Sequence, residues 1–452
     1  YRDNLPINMT AVVKNIEGDQ GYLLTHDGLT EFSQTGGVAR GGVFNERFND
    51  HYRVSGNAFE SVSAVGVVNT LGVVSGSSIC SFANSFNTQA ILSDGKYYLW
   101  DNATLTQVLD PQLGFPIDIT WFRGIYVMTD GESLFHTDIV NETSISPLKY
   151  SSSEFAADPI IGVGRNDQNQ ILAFNRYSTE YFYFNASAPS GTSVLQVISG
   201  KAIRVGIIGT HCKTKLDGVF FILGGRKEES PSIHALTGSQ AQTIATREID
   251  KLIAEYDEAE LSGVVIESRV VDRDKFIIVH LPNETLLFNL TVSQKVGNDA
   301  AWSVIKTGIE VDEPWRGKFG VFDPRAAKWV YGDIKENKLG YLNHETGSQY
   351  GEQVENICYS PIIAGYETLS VNNFEINTIP GYSSSDMTCF NAYSSDGITY
   401  QQERSTLISE QGNYNTRYIV RDIFYIREDF SMRFRFVSND KMSFSGLKAD
   451  IS

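Results

Sequence analysis

Seven segments of the chain share one plan: an apolar strand, a short polar turn, and a second strand ending in aromatic or aliphatic residues. They begin at His51 (HYRVSGNAFESV), Gln89 (QAILSDGKYYLW), Gly124 (GIYVMTDGESLFHTDI), Gln170 (QILAFNRYSTEYFYF), Gly218 (GVFFILGGRKEESPSIHAL), Lys275 (KFIIVHLPNETLLFNL) and Lys328 (KWVYGDIKENKLGYL). Successive starts lie 38, 35, 46, 48, 57 and 53 residues apart. In the second segment Asp94-Gly95 sits between alternating apolar residues, the strongest short-range hairpin signal, because a type I′ turn needs positive φ at both central residues. Most intervals leave room for two further strands, such as PIDITWF (116–122) or DPIIGVG (158–164).

Four short strands recurring every forty-odd residues are the sequence form of a β-propeller blade. One blade cannot bury both faces of its sheet, so blades pack around an axis until the ring closes. The expectation is an all-β chain: a propeller of about seven blades over residues 1–350, then a separate domain over 351–452. A ring needs a clasp, and GYLLTHDGLTEF (21–32) reads as an early strand pair that completes the blade containing Lys328 to Leu342. An irregular β-sandwich or two smaller β-domains is the competing architecture, because the period drifts and no WD-type signature is present. The 22 Tyr, 26 Phe and 39 Gly favour strands and tight turns. A single inserted helix is expected in IATREIDKLIAEYDEAEL (244–261), where Ile249, Leu252, Ile253 and Tyr256 fall at helical spacing. Beyond residue 353 the pattern changes to clean alternation, as in Met432, Phe434 and Phe436 against Arg433 and Arg435, which marks half-buried antiparallel strands of a jelly-roll-like β-sandwich.

No catalytic or metal-binding motif stands out in the sequence. The seven histidines form no H-x-H, H-E-x-x-H or His/Cys cluster, so no metal site is assigned. The chain has no G-x-S-x-G elbow, no Walker loop and no dinucleotide fingerprint, and no cofactor is expected. GGVARGGVFN (36–45) is Gly-rich but leads into a strand, without the helix N-terminus that makes a phosphate cradle. Asp94, Asp130 and Asp396 lie in Asp-Gly turns, where backbone geometry alone explains an Asp. Arg40, Arg123 and Arg316 each precede a glycine, and packing or ion pairing explains them better than a substrate-binding triad. Cys80, Cys212, Cys358 and Cys389 form no C-x-x-C pair and read as buried, reduced thiols of a chain made in a cytoplasm. Six N-x-S/T sequons are expected by chance in a chain this rich in Ser, Thr and Asn. No apolar run approaches the length that spans a bilayer, and no signal peptide is visible.

Formal net charge is −17, from 37 basic and 54 acidic residues. Residues 351–452 contribute 8 − 13 = −5, which leaves −12 for residues 1–350, so the acidity is spread rather than held in a tail. A protein gripping duplex DNA neutralises phosphates with a basic stripe, and none is present. These observations describe an acidic, mostly β, non-catalytic scaffold.

Ten phrases, in order, add to this reading: DNLPINM (3–9), GVARGGVFN (37–45), IDITWFRGIYV (117–127), IIGVG (160–164), GIIGTHCKT (206–214), IATREIDKLI (244–253), FIIVHLP (276–282), WSVIKTGI (302–309), WRGKFGVF (315–322) and SSDGITYQQE (394–403). Running collinearly from end to end, they make the chain resemble the packaged-DNA stabilisation proteins of short-tailed phages, which form the tail hub or nozzle. The resemblance implies a virion protein of the tail, made in the bacterial host cytoplasm and assembled as a homo-oligomeric ring of several copies, six by that likeness. The ring would lie beneath the portal and its adaptor, close the DNA exit channel, dock the needle or plug, and neighbour the tailspikes. The genome would pass through its lumen without sequence-specific binding. No catalytic residue is carried over.

The Arg- and aromatic-rich strand in the C-terminal domain supplies the candidate partner interface, Arg427, Arg433, Arg435 and Phe434, because these types are enriched at interface hot spots. An amphipathic core strand with solvated arginines is the plain alternative. Two other functions stay open at this level. One is a carbohydrate-binding propeller with a lectin-like sandwich, which would display a pocket of exposed Trp or Tyr. The other is a glycosidase, which would need two carboxylates facing across a cleft.

Overall fold

The computed structural model describes residues 4–16, 19–139, 141–189, 192–311, 313–362, 369–378, 387–409, 412, 418–420, 424–426 and 429–451. Seven four-stranded antiparallel sheets follow one another in simple up-and-down order. The seven sequence hairpins are the two middle strands of these sheets, from Asp50–Ser55 with Ala58–Val62 in blade 1 to Lys328–Asp333 with Lys338–Asn343 in blade 7. The regularity has a local cause. Gln89–Ser93, Ile125–Thr129 and Ile171–Asn175 bury every residue, and the first strands of the other hairpins all but the first one or two, so each must be sandwiched between neighbours on both faces. At the hairpin that shows the turn most clearly, φ is +47° at Asp94 and +71° at Gly95. A Cβ on Gly95 would meet the Phe115 ring, so glycine is required there twice over.

The first strands of successive blades, Gly317–Asp323, Ala39–Asn45, Ser81–Asn84, Asp118–Phe122 and Ile160–Arg165, lie side by side. Apolar clusters fill the space between blade faces. Tyr52, Phe59 and Trp100 pack between blades 1 and 2, Tyr97, Tyr126 and Phe135 between 2 and 3, and Phe122, Ile171 and Phe182 between 3 and 4.

The clasp takes half of the early strand pair. Gly28–Gln34 forms the outer strand of blade 7, beside Lys338–Asn343. Its companion Asp19–Thr25 instead pairs with Met9–Ile16 and with Ser443–Ile451, in a sheet completed by Leu369–Thr378, Tyr418–Val420 and Phe424–Ile426. A second sheet, Val354–Tyr359, Ser431–Ser438, Met387–Ser394 and Arg404–Ser409, supplies the other layer. The two enclose a core of Met9, Cys358, Phe374, Met387, Cys389, Met432, Phe434, Phe436 and Phe444. The N-terminal hairpin thus gives this β-sandwich two strands that alternation alone could not assign, because Met9 and Leu23 bury the apolar face which that core requires.

The single expected helix is two. Arg247–Ile253 ends at Ala254, and Asp257 starts Glu258–Ser262 with a capping box to Glu260. A third helix, Leu290–Val296, capped by Asn289, joins the last two strands of blade 6. By contact density the chain falls into two compact units: Tyr1–Thr30, Arg269–Arg316 and Leu342–Ser452 form one, Glu31–Ser268 and Gly317–Tyr341 the other.

Candidate functional surfaces

Within the second unit, buried and half-buried charged side chains cross from blade to blade. Arg53, fully buried in blade 1, donates to the Phe319 carbonyl at 2.7 Å and the Val330 carbonyl at 3.2 Å in blade 7. Arg325 of blade 7 reaches back to Asp50 at 2.6 Å and to the Val62 carbonyl at 2.6 Å. Arg40 fastens blade 1 to blade 2 through the Ser78 carbonyl at 2.8 Å and the Ser93 hydroxyl. Lys213 of blade 5 reaches Asp118 of blade 3 at 2.7 Å, and the same carboxylate oxygen accepts the Val163 N–H of blade 4, also at 2.7 Å. A Cβ on Gly162 would stand 2.9 Å from both charged atoms, so only glycine lets this bridge pass. Glu267 of blade 6 accepts the Phe319 and Gly320 N–H groups of blade 7 at 2.5 and 2.9 Å. A buried charge is tolerated only when paired or hydrogen-bonded, and each of these satisfies that demand by joining two sheets.

Two cavities, of about 460 and 260 Å³, share Ile79, Thr210 and His211 as walls. Burial, then the charge of Lys213, brings the His211 imidazole down to about 4, so it is neutral near pH 7. Burial also lowers the Lys318 ammonium. The cavity walls carry Lys213 and Glu267, each already bonded within a seam, and no group of three or more potential metal ligands occurs among the described residues.

Phe434 is 1% exposed and belongs to the sandwich core, so it is withdrawn as a contact: its place in the alternation points it inward. Arg433 is half-buried and Arg435 buried, and both are paired. Glu403 accepts from both, at 2.9 and 3.0 Å, and Arg435 also meets Glu310 at 3.1 Å. Arg427 lies outside the described residues. Arg40 and Arg316 are buried, Arg316 pairing with Glu352 at 3.1 Å, and Arg123 stands over the Phe184 ring. The Asp396 carboxylate holds the Ile398 and Thr399 N–H groups of its own turn at 2.7 Å. All four cysteines are free and buried, and burial pushes the Cys358 thiol up to about 12. The five tryptophans are buried or half-buried. Sequence reasoning missed Arg53, Asp118, Lys213, Glu267 and Arg325, whose partners are up to 277 residues away and leave no local signal.

This architecture defines a class of protein: a β-propeller followed by a β-sandwich, whose charged groups fasten strands together. Residues 1–347 match the family described as Bacteriophage P22 Gp10, beta-propeller, and residues 355–452 match Bacteriophage P22 Gp10, beta-sandwich. The chain belongs to this P22 Gp10 family. It is 29% identical to the tail hub protein gp10 of Salmonella phage P22 over 462 residues, covering 99% of this chain and 94% of that protein. Among solved structures, the N-terminal domain of Nup159 aligns at a TM-score of 0.44 with 9% identity, over 76% of this chain and 99% of that one. The Dos1 propeller aligns at 0.40 with 12% identity, over 76% and 90%. Neither likeness bears on function.

Proposed function

We propose that this chain is a structural subunit of a bacteriophage tail hub, assembled as a homo-oligomeric ring of six copies below the portal and its adaptor. There it closes the DNA exit channel, holds packaged DNA in the head, and docks the needle and tailspikes. The observation that carries this reading is the end-to-end match to a tail hub protein, spanning both propeller and sandwich. The physical character of the chain supports it. A ring needs a stiff protomer, and the buried seams stiffen the propeller where a row of separate sheets would flex. The net charge of −17 suits a conduit wall, because phosphates repelled by the lining do not adhere as the genome leaves. The wall facing DNA is accordingly expected to be neutral or acidic.

On the sandwich, Arg433 keeps partial exposure and is the remaining candidate contact for adaptor or needle. The deciding experiment is electron microscopy of the purified chain mixed with a portal–adaptor complex. A ring of density below the adaptor is expected. A chain that stays monomeric and leaves the adaptor bare would overturn the reading.

A further inference from the structure

The distribution of charge in the propeller is uneven. Residues 61–93 contain no Asp, Glu, Lys or Arg, although one residue in five of the whole chain is charged. This run forms the outer strand of blade 1, Val68–Val73, and the first two strands of blade 2. Its surface is apolar as well as neutral: Val65 is 81% exposed, Val73 66% and Phe86 67%. A second neutral wall comes from residues 181–200 and 230–246, which are equally free of those four residue types. They supply residues 195–200 of Leu195–Ile203, the outer strand of blade 4, and all of Gln240–Thr243, the outer strand of blade 5. The Tyr181 hydroxyl donates to the Gly238 carbonyl at 2.6 Å and joins the two blades. In blade 4 the register jumps from Glu180↔Ala202 to Phe182↔Val197, so residues 198–200 bulge out as a knob beside exposed Val197, while the Lys201 ammonium at its base is held back by Gln170 at 2.7 Å and the Tyr181 ring.

We infer that these two walls are the two halves of the contact between neighbouring copies of this chain, the blade 1–2 wall of one copy receiving the blade 4–5 knob of the next. The assignment rests on the ring proposed above and names its seam. Charge selects the occupant. Two copies, each at −17, repel one another, and that repulsion is weakest where the facing surfaces carry no acidic residue. Depletion of charge with exposed apolar side chains is also what distinguishes the centre of an interface. Blade 3 stands between the walls, so they face different ways. Two unlike, differently directed patches make a head-to-tail contact, which generates a ring rather than a two-fold dimer.

The test uses the full chain with Val73→Asp in one wall and Val197→Asp in the other, read by sedimentation velocity and native mass spectrometry. Each variant alone is expected to be monomeric, its self-association weakened at least about a hundredfold by an uncompensated charge at the contact. Mixed, they should form one-to-one dimers, because each retains the wall the other lacks. If either valine variant misfolds, Asn69→Asp and Ser199→Asp, at exposed polar positions, carry the same test. Variants that form rings as the wild type does would overturn the walls and leave the ring standing. A single variant that dimerises with itself would also overturn them, since that requires a two-fold contact. A wild-type chain that never forms a ring would overturn the ring reading itself.

Discussion

The propeller and the sandwich are both antiparallel β-structures, yet they are held by different forces. Propeller blades are joined by buried ions, Arg53 to blade 7, Arg40 to blade 2 and Lys213 across to Asp118, laid over aromatic clusters between the sheets. The sandwich layers meet through Met, Phe and Cys, and four of the five methionines of the chain, Met9, Met387, Met432 and Met442, stand in that one core. Flexible thioethers adapt to imperfect shape, whereas a guanidinium aimed at two carbonyls accepts one geometry. The difference teaches where specificity is placed. Blades that resemble one another could slip in order or register, and an ion that finds its partners in only one arrangement excludes the rest. The sandwich is built from unlike strands and can rely on volume.

The sharpest way to break this contrast is Arg53→Met. It removes both seam bonds and leaves the Phe319 and Val330 carbonyls facing apolar surface, and should cost about 3–5 kcal/mol in chemical denaturation. A loss below about 1 kcal/mol would show that the 7–1 seam is apolar in effect. Lys213→Met should cost about 3 kcal/mol, and combining it with Asp118→Asn should cost less than the two changes summed. Strict additivity in that double-mutant cycle would mean the bridge contributes nothing as a pair.

Acid acts on individual histidines with opposite signs. His26 lies at about 3 and His211 at about 4, both lowered first by burial, so the folded chain stays neutral there while the unfolded chain takes up protons below pH 6.5. Stability therefore falls as pH drops from 6.5 towards 4, and His211→Asn should flatten that limb of the melting profile. His344 runs the other way. It donates to Asp27 at 2.7 Å, and that bond raises its pKa. Its contribution is complete below 6.5 and is lost as pH rises through the folded value. His344→Gln should abolish that loss; an unchanged alkaline slope would sever His344 from stability.

In the sandwich core, Met432→Leu conserves volume and should cost less than about 1.5 kcal/mol. A cost equal to that of Arg53→Met would erase the distinction between the regions. The smallest effect belongs to Asp94→Asn, within about 0.5 kcal/mol, because Asn also tolerates positive φ at an exposed turn. A much larger loss would assign weight to the bonds its carboxylate accepts from the Ser77 and Ser78 N–H groups.

Much of this molecule was legible residue by residue. Asp94-Gly95 announces its turn, the seven hairpins announce the middle of seven blades, and the alternation from Met432 to Phe436 announces a half-buried strand. The capping box at Asp257, legible once seen, divides what periodicity joined into one helix. The candidate interface was read less well: the same alternation that identified the strand turns Phe434 into the core, and Arg435 serves Glu403.

What the sequence determined by itself is whatever neighbours within a few residues decide: strand, turn, blade period, and the acidity of the whole. Tertiary structure alone decided which sheet each N-terminal strand joins, Asp19–Thr25 going to the sandwich and Gly28–Gln34 to blade 7. It alone also brought Arg53 to a carbonyl 266 residues away. The physical reason is that a strand pattern fixes which face must be buried, while the partner that buries it is chosen only when distant edges and charges meet and no better pairing is left.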